Sequence, residues 1–204
     1  MESKEKNTKE KILEEALKLF AQSGYMGTSM NDIASKLGVT KAALYKHYKS
    51  KQEILDSIIE KMNELDIERV KLYEMPEGDL EKVTAEYKET AFDKIKQFTK
   101  VQFLHWTEEE FSRCFRKMLT LEQYREPQMA QLYQNYLASG PLAYMEALFS
   151  GMLGDAEKAR QTALDFYGPI FLLYSIYDGT ENKSHVIKLL EEHMDYFLQE
   201  MQIR

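Results

Sequence analysis

Two short helical patterns meet at Gly38, and that junction constrains the fold of this chain more than any other feature. Upstream, Ser29 and Asp32 make a Ser-x-x-Asp helix start, Ile33, Ala34 and Leu37 point inward, and Gly38 closes the helix after barely two turns. Downstream, Val39 packs the turn and Thr40 can cap another helix. Ala42, Ala43 and Leu44 follow, small enough to let that helix approach another surface closely, with Lys41, Tyr45, Lys46 and His47 around them. A C-cap glycine between two such helices is what a helix-turn-helix needs.

The flanking segments complete the pattern. Asn7 with Glu10 announces a first helix, on which Leu13, Leu17 and Phe20 repeat at i, i+4, i+7 until Ser23-Gly24 ends it. Ser50 with Glu53 opens a fourth, striped by Ile54, Leu55, Ile58, Ile59 and Met62. Throughout the 204 residues only four prolines and nine glycines interrupt apolar residues at helical spacing, so the expected class is all-α.

Composition narrows the class further. A hydrophobic fraction of 44% with 30% charged residues fits a folded globular chain. The polar start lacks the apolar core of a signal peptide and no later segment is apolar for long enough to cross a bilayer, which leads to the expectation of a cytoplasmic protein without membrane association. The single Cys114 excludes an intrachain disulfide and a multi-cysteine metal site. No nucleophile–base pair, metal set or phosphate-cradling glycine loop is evident. The expectation is therefore no enzyme, no catalytic or metal-binding residues and no cofactor. Glu108-Glu109-Glu110 reads as helix-start charge favoured by the helix dipole.

A net charge of −7 is an objection to DNA binding until its distribution is counted. Residues 1–52 hold ten lysines and six acids, a net +4, and the remainder holds 17 basic and 28 acidic residues, a net −11. Neutralising phosphates needs only a local basic surface, while an acidic body disfavours indiscriminate adhesion to DNA.

The residue types at Gly38 suit that partner. The major groove admits one α-helix, whose N-terminal residues meet base edges first. Thr40, Lys41 and Ala42 occupy that end: the lysine can donate to guanine acceptors and the alanine methyl can pack on the thymine methyl. Tyr45, Lys46 and His47 lie further along, where they can hold phosphates, and Ser29 and Lys51 put helix N-termini towards the backbone. Tyr48 reads as a core aromatic. His47 has no nearby His or Cys that would make it a metal ligand.

The order Gly24-Tyr25, Thr28-Ser29, Asp32-Ile33-Ala34, Leu37-Gly38-Val39, Leu44-Tyr45, His47-Tyr48 and Lys51 resembles the DNA-binding domain of the tetracycline-repressor (TetR) family, most specifically in Leu-Tyr-x-His-Tyr-x-x-Lys. The resemblance implies a helix-turn-helix domain over residues 1–52 and a larger helical effector-binding and dimerisation domain over 53–204, about nine helices in all. It further implies a homodimer that binds a palindromic operator and leaves it when a small molecule enters the second domain. Carried over by position, the DNA contacts are Ser29, Thr40, Lys41, Ala42, Ala43, Tyr45, Lys46, His47 and Lys51, with Thr28 and Asn31 as further candidates. Residues 1–52 contain no arginine, so guanine readout would rest on Lys41 or on water.

The rest of the chain speaks of architecture. The fourth helix should reach about Tyr73. A long fifth should run from near Leu80 to His105, a sixth should start at Thr107 with Glu110, and a seventh at Pro127 should break at Gly140-Pro141. Asp155–Tyr177 and Ser184–Gln202 read as an antiparallel pair joined at Asp178-Gly179, with Gly168-Pro169 either kinking the eighth helix or admitting another backbone. The eighth is apolar over a wide arc, which calls for two partners: its own subunit and a second copy. Phe166, Ile170, Leu173, Tyr177, Leu190, Met194 and Phe197 are the expected interface.

On helices that form the effector cavity in proteins this chain resembles lie Phe98, Gln102, Trp106, Phe111, Phe115, Met118, Tyr133, Tyr136 and Tyr174. They suggest a mostly apolar or aromatic effector oriented by tyrosine hydroxyls and Gln102. A DNA-binding structural or occlusion protein of the same fold, regulated by a protein partner and not by an effector, is the alternative.

Overall fold

In the computed structural model, residues 2–203 are described, with side chains from Asn7 to Met201. They form eleven helices and no strand: α1 (Glu2–Ser23), α2 (Met30–Leu37), α3 (Lys41–Tyr45), α4 (Lys51–Leu72), α5 (Leu80–Glu89), α6 (Phe92–Thr107), α7 (Glu110–Glu122), α8 (Pro127–Leu137), α9 (Ser139–Leu153), α10 (Ala156–Gly179) and α11 (Lys183–Ile203). No helix among the described residues is long and apolar enough to cross a membrane.

The all-α class holds, and the count of about nine becomes eleven for two local reasons. The long fifth helix is two, α5 and α6: Thr90 leaves the helix at φ −75°, ψ 127° and turns its hydroxyl back to the Glu86 carbonyl at 2.8 Å. The seventh also divides, at Ala138 (φ −126°, ψ −98°), so Gly140 and Pro141 fall in the first turn of α9. Asn7 does not start a helix, because α1 already runs through it from Glu2.

The chain divides into two compact units. One comprises the residues up to Arg69 together with Glu110–Tyr133; the other comprises Val70–Glu109 and Gln134–Arg204. In the first, α1 packs on α2 and on α7, and α2 on α3. Leu17, Phe20, Ile33, Leu44, Ile54, Leu55, Ile58 and Met62 are sealed from solvent with Phe115, Met118 and Leu119 of α7. Each such side chain contributes roughly 1.5–3 kcal/mol on burial.

In the second unit α10 packs on α9, α11 and α6, and α5 on α9. Phe103 stacks on Tyr174 at 5.1 Å and meets Tyr177 edge-on at 5.5 Å. Phe149, Phe166 and Phe197 form a triangle with centroids 5.1 to 6.1 Å apart. Pro169 lies inside α10, and a Cβ added at the preceding Gly168 would meet nothing within 4 Å among the described residues.

Candidate nucleic-acid interface

Capping fixes the helix-turn-helix. The Ser29 hydroxyl accepts from the Asp32 N–H at 3.2 Å while the Asp32 carboxylate accepts from the Ser29 N–H at 2.8 Å and from its hydroxyl at 2.6 Å, a reciprocal capping box. These bonds hold the Asp32 carboxyl below its ordinary range, the Ser29 hydroxyl being the larger cause. Gly38 ends α2 in the left-handed conformation (φ 68°, ψ 26°), where any other residue would be strained. Thr40 then caps α3 by accepting from the Ala43 N–H at 3.2 Å.

Those caps aim a small exposed surface. Ser29, Asn31, Thr40, Lys41, Ala42, Tyr45 and Lys46 are exposed, Ala43 and His47 half-buried. Leu44 is fully buried and roots α3 in the core. The Lys41 ammonium lies 5.7 Å from the centroid of the Tyr45 ring, one helical turn on. Tyr48 is interior, 4% exposed, with the Lys9 ammonium over its ring. His47 lines a groove of about 570 Å³ with Asn7, Lys11, Val39 and Ala43, and its Nδ1 has no hydrogen-bond partner among the described residues.

Two residues of the motif face inward. Thr28 is buried and its hydroxyl donates to the Gly24 carbonyl at 2.8 Å. Lys51 is half-buried, and its ammonium donates to the carbonyls of Tyr25 at 2.5 Å and Thr28 at 2.8 Å while lying 4.2 Å from the centroid of the Tyr25 ring. Burial lowers its pKa, opposed by the negative charge of Glu122. Lys51 thereby ties the first turn of α4 to the residue before the α2 cap. Glu122 was not legible as part of this site, since it stands 71 residues beyond Lys51 in an ordinary helix C-terminus.

The residues expected at an effector lie in both units. Phe111, Phe115, Met118 and Tyr133 belong to the first, with Phe115 and Met118 fully buried. Phe98, Gln102, Trp106, Tyr136 and Tyr174 belong to the second, where Trp106 meets Tyr136 edge-on at 6.4 Å and Phe98 meets Tyr73 at 6.1 Å.

All seven residues expected at a subunit interface (Phe166, Ile170, Leu173, Tyr177, Leu190, Met194 and Phe197) are buried against the chain's own helices. The opposite face of α10 leaves Leu164, Phe171, Leu172 and Ile176 exposed, and α11 leaves Tyr196 exposed. Apolar periodicity shows that α10 has two faces without telling which one turns inward.

Residues 12–58 match the model of the family described as bacterial regulatory proteins, tetR family. The biofilm operon icaADBC HTH-type negative transcriptional regulator IcaR of Staphylococcus epidermidis is 42% identical over 52 residues, 26% of this chain and 28% of that protein. Its Staphylococcus aureus counterpart is 41% identical over 51 residues, 25% of this chain and 27% of that one, so the likeness spans only about a quarter of these curated relatives.

Solved structures extend the likeness to the whole fold. Salmonella enterica GusR aligns over 95% of this chain and 96% of its own at TM-score 0.59 and 21% identity. The TetR family transcriptional regulator PfmR of Thermus thermophilus aligns over 92% and 97% at TM-score 0.55 and 22% identity. The capped helix-turn-helix thus lies inside the segment that matches the tetR family of bacterial regulatory proteins, and the helical fold as a whole is shared with these solved structures.

Proposed function

We propose that this chain is a transcriptional repressor that binds a palindromic operator as a homodimer and is released by a small, mostly apolar or aromatic effector. The observation that carries DNA binding is the exposed surface of Thr40, Lys41, Ala42, Tyr45 and Lys46, on a helix rooted by Leu44 and capped at its start. Ser29 adds the N-terminus of α2, and Lys51 adds that of α4 through its backbone, since its ammonium is engaged inside. Ala43 and His47 flank α3, half-buried. Repression is supported by the relatives whose names describe negative regulators.

A dimer follows from what the operator reading requires. One helix-turn-helix touches few bases, and a two-fold pair reads two half-sites about one helical turn apart, roughly 34 Å. The exposed stripe Leu164, Phe171, Leu172 and Ile176 on α10 is the apolar surface that a second copy would cover. The effector reading is supported by the aromatic lining candidates around Trp106, Tyr136 and Tyr174.

Selection of binding sites from random duplex DNA, with and without apolar and aromatic small molecules, tests the reading. The expected product is an inverted repeat whose enrichment falls with one of the ligands. Selection of no sequence overturns DNA recognition. If no small molecule ever weakens binding while a protein partner does, the effector reading is overturned.

A further inference from the structure

A buried acid of the first unit lies outside its helix-turn-helix. Glu122, the last residue of α7, is 0% exposed, and neither carboxylate oxygen has a hydrogen-bond partner among the described residues. A carboxylate in such a place loses its hydration and must be offset by nearby charge. Its ion-pair partner Arg125 stands 3.6 Å away, three residues on, with its own side chain 63% exposed. A solvated i,i+3 pair of that kind contributes little and does not account for the burial.

The surroundings of the carboxylate supply the account. Oε1 presses on Gly24, where α1 ends: a Cβ there would stand 1.9 Å from that oxygen. Gly24 is also left-handed (φ 81°) and its carbonyl accepts the Thr28 hydroxyl, so the turn from Gly24 to Thr28 is clasped from within. Lys51 clasps the same turn through the carbonyls of Tyr25 and Thr28. Tyr25 adds a bond from its hydroxyl to Gln52 at 3.1 Å. The half-buried Lys51 ammonium needs a countercharge, and Glu122 is the acid whose field favours its charged form. Asp56 and Glu126 are the other acids near this turn, both acting on Tyr25.

We propose that Glu122 is a positioning residue for DNA binding: from the end of α7 its buried carboxylate backs the Gly24–Thr28 turn and balances Lys51, so that the starts of α2 and α4 are held at a fixed spacing. The proposal rests on the reading of those two helix starts as phosphate-facing. It places one determinant of operator affinity some 70 residues beyond the motif, on a side chain that touches no DNA.

The test uses the full chain and the duplex obtained by site selection. Glu122→Gln keeps the shape and removes the charge. Its expected effects are about tenfold weaker binding with an unchanged salt slope, a further fall in the Lys51 ammonium pKa followed by nitrogen-15 NMR, and partial recovery in Glu122→Asp. The Lys51→Gln/Glu122→Gln pair, free of both charges, covers the case in which the single variant does not fold. It is expected to bind no more weakly than Lys51→Gln alone. Wild-type affinity in Glu122→Gln, an unmoved Lys51 titration, or additive losses in the pair overturn the role of Glu122. Failure of the wild-type chain to bind any duplex overturns instead the DNA-binding reading on which it rests.

Discussion

Asp32 accepts two hydrogen bonds from Ser29, one from its N–H at 2.8 Å and one from its hydroxyl at 2.6 Å, and it is this pair that starts the first helix of the helix-turn-helix. The folded pKa of Asp32 is lowered relative to the unfolded chain, so its contribution to stability is present above the unfolded value near ~3.9 and is lost as pH falls through the lower folded one. Carbon-13 titration of the carboxyl should show this depressed midpoint. In Ser29→Ala the midpoint should move up, because the hydroxyl bond, the larger cause, is gone; an unmoved midpoint would show that the cap does not form in solution.

The turn itself tolerates change differently at its two ends. Gly38 is left-handed but has open space around it, so Gly38→Ala should cost only the backbone strain, about 1 kcal/mol. Thr40→Ala removes the α3 cap and should cost about 1 kcal/mol. Gly24→Ala should cost more than either, since strain is joined by collision with Glu122. Urea denaturation ranks the three, and a Gly24→Ala loss no larger than that of Gly38→Ala would contradict the packing at Glu122.

How far the fold could be read in advance depended on whether a signal was local. Caps and stops made by Ser29, Asp32, Gly38, Thr40, Pro127 and Asp155 are local, and the corresponding boundaries fall where expected. The break between α5 and α6 at Thr90-Ala91 carries no glycine or proline and was invisible. Lys51 illustrates the limit at the site: its place in the motif is legible, but the direction of its ammonium depends on the carbonyls of Tyr25 and Thr28, more than twenty residues away in sequence.

Lys41 and Lys46 should fail in different ways. Lys46 is exposed beyond the first turn of α3, where a lysine meets phosphate, so Lys46→Ala should weaken all duplexes alike and reduce the salt slope by about one. Lys41, at the helix start, should instead relax base preference when replaced by alanine. Affinities for selected and scrambled duplexes across a salt series separate the two, and identical behaviour would remove the distinction between reading and holding.

On α10, Leu172 is 59% exposed and Ile176 is 40% exposed, a turn apart on the face away from the core. A charge there would be indifferent in a monomer and costly in an interface. Leu172→Glu should therefore leave the helical circular dichroism intact while shifting sedimentation from dimer to monomer and reducing affinity for the inverted repeat. A Leu172→Glu dimer as tight as the wild type would move the interface elsewhere.

At the end of the same helix, Tyr177 gives the second unit an alkaline limit. Its side chain is buried beside Phe103, its hydroxyl donates to Glu108, and burial, followed by that bond and its negative charge, pushes its pKa up to about 12. The native state therefore holds this proton more tightly than the unfolded chain, whose tyrosines ionise near ~10. The stability so gained is fully present below ~10 and is lost as pH rises through the folded value. Tyr177→Phe, which keeps the ring contact with Phe103 and removes the ionising group, should flatten the fall in unfolding free energy between those pH values. Tyrosinate absorbance of the native chain should show one late-titrating group missing in the variant; an unchanged alkaline profile in both measurements would show that the proton of Tyr177 is not held by the fold.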